Sequence, residues 1–490
     1  MLFNSIDFAF FFPLVFFLYW AVAKKLTLRN ALILIASYVF YGMWDWRFLF
    51  LIIISSGVDY FVGKQLAATE RKSKRIWLLM TSLTVNLGFL LYFKYANFFI
   101  ESFVDSFRLF GSEIEASTLH IILPVGISFY TFQTLSYTID IFRRKIKPTH
   151  DALSFFAFVA FFPQLVAGPI ERASHLLPQF HKTYKFNYTQ VKSGLLLMAF
   201  GLFKKMVIAD RAAIYVNEVY GNAGDYDGVA YSIATVLFAF QIYCDFSGYS
   251  DIAIGAARTM GFSLMKNFNS PYFAISLTEF WHRWHISLST WFRDYVYIPL
   301  GGSKQGNLRT YSNLFIVFVI SGLWHGAAWT FVIWGALHGA GLIIEKLLKD
   351  PRLDFMSKLG IRTPTFSNNL FFGSITFIFV CLAWIFFRAS SFENALAMLA
   401  GIFNNFKFSS LFSEATYNIG FTPAVFRALV IMIVLLLLAE IYHSKRSLFR
   451  RLNEQGLIMR WSFYFIIVFV LIIFGVYSDE GAQEFIYFQF

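Results

Sequence analysis

An all-α, polytopic integral membrane protein is the fold class this sequence predicts, and three observations predict it. Hydrophobic residues make up 58% of the chain and charged residues only 14%, against about 25% charged in ordinary soluble domains. The 490 residues include 64 phenylalanines, more apolar surface than one soluble core can hide, so the solvent for much of it is lipid. The apolar residues also fall in runs separated by short polar stretches, and about 20 mostly apolar residues make a membrane helix.

The first run, Phe8–Val22, has no basic stretch before it and no small-residue cleavage site after it, so it is expected to stay as a span rather than leave as a signal peptide. Ala31–Tyr41, Phe48–Val62 and Trp77–Phe93 follow, then Ile121–Ile141 and Ala152–Val166. The stretch FFPQLVAGPIER, ending near Gly168-Pro169, reads as a helix break. Such breaks are tolerated at membrane depth where backbone lines a cavity. The later runs are Leu195–Ile208, Val229–Tyr243, Leu314–Leu323, Trp329–Ile344, Leu370–Phe387, Val425–Ile441 and Trp461–Val476. Several are short, so roughly 11 transmembrane helices plus re-entrant or interfacial pieces are expected. Trp44, Trp46, Trp77, Trp324, Trp334 and Trp461 sit near run ends, where interface anchors belong.

Net charge is +12. In a soluble protein that would point to nucleic acid; here the basic residues cluster between apolar runs, at Lys24–Lys25, Arg71–Lys72, Lys74–Arg75, Arg143–Lys147, Lys204–Lys205 and Lys445–Arg451. The positive-inside rule reads these as cytoplasmic loops, with both ends of the chain outside. Glu101–Glu115 and the stretch from Asp479 are acidic or neutral and fit the outer side. Lipid is therefore an expected partner and nucleic acid is not. Cys244 and Cys381 lie far apart in apolar runs and read as free buried thiols. Lys349–Asn368 is polar and reads as a surface loop. No repeat, low-complexity tract or linker divides the chain, so one domain over residues 1–490 is expected.

The chemistry-bearing residues gather between positions 279 and 338. TEFWHRWHISLSTWFRDYVYIPLGG carries Glu279, His282, Arg283, His285, Arg293 and Asp294; SGLWHGAAWTF carries His325. Ionisable groups at membrane depth are costly and mark function by default. His282 and His285, three apart, would share a helix face, but without a third ligand at a diagnostic spacing they make no metal site, and no metal is expected. His282 reads more simply as the polar rim of an interfacial helix. His325 is different: no charge occurs from Thr310 to Ile344. A desolvated imidazole stays neutral, the form that accepts a proton; a histidine bonded between helices is the alternative. If Trp324–Ile344 were one helix, His338 would lie about 220° around and about 20 Å along from His325, so His338, with Gly335, Gly339 and Gly341, reads as a packing position. Upstream, QIYCDFSGYSDIAIG places Asp245, Ser247, Tyr249 and Asp251 at the end of an apolar run, where they line a polar tunnel or satisfy one another. Trp324, Asp245, Ser247, Tyr249 and Arg283 are the expected substrate contacts. No GxxxxGK[ST], GxSxG elbow or Rossmann fingerprint occurs, so no bound cofactor is expected and any donor substrate would be held by the helices themselves.

FWHRWHISLSTWFRDYVYIPLGG together with SGLWHGAAWTFVIWGALHG resembles the membrane-bound O-acyltransferase family, in its bacterial alginate and peptidoglycan O-acetyltransferase branch. LVAGPIER, QIYCDFSGYSDIAIG, LPVGISFYTFQTLSYTIDI and the opening LFNSIDFAFFFPLVFFLYW extend the likeness over nearly the whole chain. The resemblance implies that His325, in the WHG motif, is the catalytic histidine and His285, in WHIS, the second one implicated. It implies a ring of tilted helices around a tunnel, in a bacterial cytoplasmic membrane. It further implies an acetyl group taken from a cytoplasmic donor, acetyl-CoA, and passed outward to polysaccharide hydroxyls, with a periplasmic or surface partner protein completing the transfer. Direct transfer and an acetyl-histidine relay both fit. The rivals are D-alanyl transfer to teichoic acid and a non-enzymatic transporter, the latter expected to show repeats.

Overall fold

The computed structural model describes residues 1–109, 111, 118–119, 121–358, 360, 365–445, 451–452, 454–477 and 485–486. Parts of the acidic stretch 101–115, of the basic cluster 445–451 and of the sequence from 479 onward therefore lie outside the described residues. Among the described residues every regular element is a helix, and seven helices are long and apolar enough to cross a bilayer. The Leu457–Phe474 helix makes the reason plain. Ile458, Ile466, Phe469 and Ile473 all stand exposed on one face of it while Val470, Leu471 and Phe474 pack on the core, and an apolar face exposed along a whole helix has lipid as its solvent. The chain is a multi-pass, all-α membrane protein.

The contacts divide it into two compact units, one of residues 1–198 and 249–265, the other of residues 199–248 and 266–490. In the first unit, Ile6–Val22, Leu26–Asp45, Leu49–Ala68, Lys72–Leu90 and Ile127–Phe142 are the main helices. Buried Asp59 would be costly among them, and hydrogen bonds offset this. Its carboxylate accepts from Thr138 Oγ1 at 2.8 Å, from Asn86 Nδ2 at 2.9 Å and from Ser82. The Lys74–Arg75 pair, expected as a basic loop, splits: Lys74 is exposed, while Arg75 is buried. The Arg75 guanidinium donates to Phe142 O at 2.9 Å and to Leu66 O, closing orphan carbonyls at the ends of two helices. The break anticipated in FFPQLVAGPIER is present: Ala152–Val159 stops, and a single turn, Phe162–Leu165, follows with Pro163 in its first positions.

In the second unit the Gly306–His325 and Trp329–Lys358 helices form a close hairpin. Their backbones touch where both carry glycine. A Cβ on Gly322 would lie 2.2 Å from Phe331 O, and one on Gly335 2.2 Å from Phe318 O. Small residues are what permit such an approach. The single helix considered over Trp324–Ile344 is thus two helices. Gly326 turns extended after His325, and a Cβ there would meet the Phe331 ring at 2.1 Å. The segment from Lys349, expected as a loop, continues as helix to Lys358.

Candidate active site

Leu277–Arg283 and Ile286–Phe292 are two short helices joined through Trp284 and His285. The first is capped by its own Ser276, which accepts from Glu279 N at 3.1 Å. From the Trp329–Lys358 helix, Glu345 also accepts Leu277 N at 2.6 Å and the Thr278 hydroxyl at 2.6 Å. An acid at a helix N-terminus is stabilising there. His285 then takes a left-handed conformation, φ 43° and ψ 53°, so the chain changes direction. For that reason His282 and His285 do not share a helix face, as a three-residue spacing suggested: His282 is exposed and His285 is fully buried. No group of three metal-ligating side chains occurs among the described residues.

The turn brings His285 to the last residue of the Gly306–His325 helix. The two imidazole centroids lie 6.3 Å apart, and both rings are buried. Trp324 packs on each, at 6.0 Å from His285 and 4.9 Å from His325. Phe246 meets His285 edge-on at 4.6 Å, and Trp334 and Phe387 close on His325 at 5.1 and 5.5 Å. The result is two imidazoles inside an aromatic wall. His338 stands behind Trp334, whose ring touches it at 5.0 Å, and accepts from Trp281 Nε1 at 3.2 Å. It packs and braces, as its glycine-rich surroundings suggested.

The other expected contacts have partners of their own. Asp245 is held by Lys205 at 2.8 Å and by the Ile486 N–H at 2.7 Å. Lys205 also meets Asp210 at 2.7 Å, and Lys204 donates to Ser247 Oγ at 3.1 Å. Lys204 and Lys205 were expected in a cytoplasmic loop. They are instead buried in the helical turn Phe203–Ala209, because two carboxylates and a hydroxyl await them there. Arg283 pairs with Glu279 at 2.5 Å within its own helix. Tyr249 belongs to the first unit, where its ring packs on Phe3 at 4.5 Å.

A cavity of about 730 Å³ opens in the second unit. Its buried lining includes Trp281, Leu288, Phe292 and Ser321, and its exposed lining includes His282, Arg293, Lys346 and Lys349. Ser321 stands about one helical turn before His325, and Leu288 follows His285 by three residues. The segments that carry the two histidines thus also contribute to the cavity, whose lining residues do not include His285 or His325 themselves. Lys346, Lys349, Asn267 and Phe246 were not singled out from sequence. Glu345 carried a signal, as the acid that ends the uncharged stretch after Thr310.

Comparison with known proteins gives concordant results. Residues 141–393 match the profile of the membrane-bound O-acyltransferase family, MBOAT. The chain is 41% identical to a probable alginate O-acetylase AlgI of Pseudomonas aeruginosa, over 82% of this chain and 75% of that protein. It is 36% identical to a probable alginate O-acetylase AlgI of Pseudomonas putida, over the full length of both. It is 33% identical to a peptidoglycan O-acetyltransferase of Helicobacter pylori, over all of this chain and 98% of that one.

Proposed function

The chain belongs to the membrane-bound O-acyltransferase family and is an acyltransferase, and from that premise we propose that it moves acetyl from acetyl-CoA on the cytoplasmic side of a bacterial inner membrane to hydroxyls of an extracytoplasmic polysaccharide, with a partner protein on the outer side. The observation that carries this reading is the pairing of His285 and His325 inside an aromatic wall, on segments that also line a cavity with exposed cationic and buried apolar side chains. The cations suit the phosphates of coenzyme A; the apolar lining suits the pantetheine arm and its thioester.

His325 is the general base. Its unprotonated ring nitrogen takes the proton of the acceptor hydroxyl as the oxygen attacks the thioester carbonyl. The tetrahedral intermediate collapses by breaking the C–S bond. The proton passes from the imidazolium to the departing thiolate, so acetyl ester and coenzyme A thiol are the products. His285 lies within one ring of the base and stabilises the developing oxyanion, the kind of contribution that is largest where water is excluded. Asp245, with Lys205 and Asp210, serves the scaffold of this site rather than the substrate.

Purified protein in sealed proteoliposomes, supplied with radiolabelled acetyl-CoA or a radiolabelled D-alanyl thioester, tests the donor. Thiol release and label transfer from acetyl-CoA support the proposal. Transfer of D-alanine alone assigns the chain to teichoic acid chemistry, and uptake of label without thioester cleavage makes it a transporter.

A further inference from the structure

We infer that Asn267 is the positioning residue for His285; the inference rests on the reading of His285 as part of the transfer site. His285 is the N-cap of the Ile286–Phe292 helix, with φ 43°. A residue at that position ordinarily turns its own side chain onto the first free amides of the helix, and a non-glycine residue in left-handed backbone is held there only by its surroundings. In this chain the capping is done from elsewhere. Asn267 O accepts the Ile286 N–H at 2.8 Å. Asn267 Oδ1 accepts the Ser287 N–H at 3.4 Å and the Ser287 hydroxyl at 2.6 Å. Asn267 and Ser287 are both buried, so water does not replace these bonds. The amides being satisfied, the His285 side chain is released from capping and turns to Phe246 and His325. The next residue, Phe268, lies against the imidazole with centroids 6.5 Å apart and planes 29° apart. One dipeptide thus fixes both the backbone turn and the plane of the ring.

The carboxamide oxygen is the atom the argument needs, which separates two variants. Asn267→Asp keeps an acceptor opposite Ser287; Asn267→Ala removes it. In reconstituted protein supplied with acetyl-CoA, Asn267→Ala is expected to lower kcat by about 100-fold, the scale of a misplaced catalytic group, with the donor KM unchanged. Asn267→Asp is expected to recover most of that loss. The second readout is the rate at which diethyl pyrocarbonate modifies His285, followed by mass spectrometry. It is expected to rise severalfold in Asn267→Ala and to stay at the wild-type value in Asn267→Asp. Should Asn267→Ala fail to fold, Ser287→Ala removes one donor alone and is expected to move both readouts the same way by less. Wild-type kcat and wild-type labelling in Asn267→Ala or Ser287→Ala overturn the inference, as does an aspartate variant no better than alanine. If the wild-type protein transfers no acetyl at all, the functional reading fails, and the labelling rate still decides the role of Asn267.

Discussion

Lys205 shows how a single residue can mislead. Two adjacent lysines after an apolar run look like a loop, yet Lys205 is buried between Asp210 and Asp245, and Asp245 is 40 residues away in sequence. Pairing at that separation leaves no local pattern. Removing the cation strands two buried carboxylates, so Lys205→Met is expected to lower stability by about 3–5 kcal/mol, seen as a fall in Tm in detergent. Adding Asp210→Asn and Asp245→Asn to it should restore most of the loss. A second residue-scale expectation concerns the polar stretch after Gly168-Pro169. His175 Nδ1 lies 2.7 Å from Glu171. Both hold their protons more tightly when folded: His175 above its ordinary 6.5 because the Glu171 carboxylate bonds it, and Glu171 above 4.5 because burial disfavours its charge. Their contribution is complete below pH 4.5 and is lost as pH rises through the raised values of first Glu171 and then His175. The Tm difference between wild type and His175→Gln should therefore shrink as pH rises past 6.5; a difference that grows would contradict this. His325 was legible as a residue because it is one of two histidines in a long uncharged run and the one in the WHG motif. Asn267 was not, because its partner Ser287 lies 20 positions on.

At the scale of elements, hydropathy located the helices well and their interruptions poorly. The runs at Leu370–Phe387 and Trp461–Val476 became Phe366–Arg388 and Leu457–Phe474, since length and apolarity are what a lipid-facing helix needs. The turn after His325 and the left-handed link at His285 both fall within runs whose pattern does not change, and neither carries a proline. Contacts in three dimensions decide them: the Phe331 ring over Gly326 and the Asn267 bonds to the Ile286–Phe292 helix. The glycine crossing makes a prediction at this scale. Gly322→Val or Gly335→Val forces a side chain against a backbone carbonyl and should reduce folded yield and lower Tm. Gly88→Ala, where a Cβ meets nothing within 4 Å, should leave Tm unchanged or slightly raised, since alanine favours the helix by about 1 kcal/mol. Equal effects at the three positions would contradict the hairpin.

For the whole molecule, composition alone was enough for a multi-pass helical protein, and motif resemblance was enough for its family, which the comparisons bear out. The arrangement of the site needed the fold, because His285, His325 and the cavity lining come from four separate helices. If acetyl-CoA enters by the cationic side of the cavity, Lys346→Glu with Lys349→Glu should raise the donor KM severalfold and leave kcat close to wild type; a fall in kcat alone would place the donor elsewhere. In this mechanism the imidazole of His325 takes the proton from the incoming hydroxyl. That step is tested most directly by single-turnover transfer of radiolabelled acetyl from acetyl-CoA to polysaccharide, comparing wild type with His325→Ala at matched folded protein and matched donor binding. The rate of transfer by His325→Ala is expected to fall at least about 100-fold. Transfer by His325→Ala at the wild-type rate would contradict it.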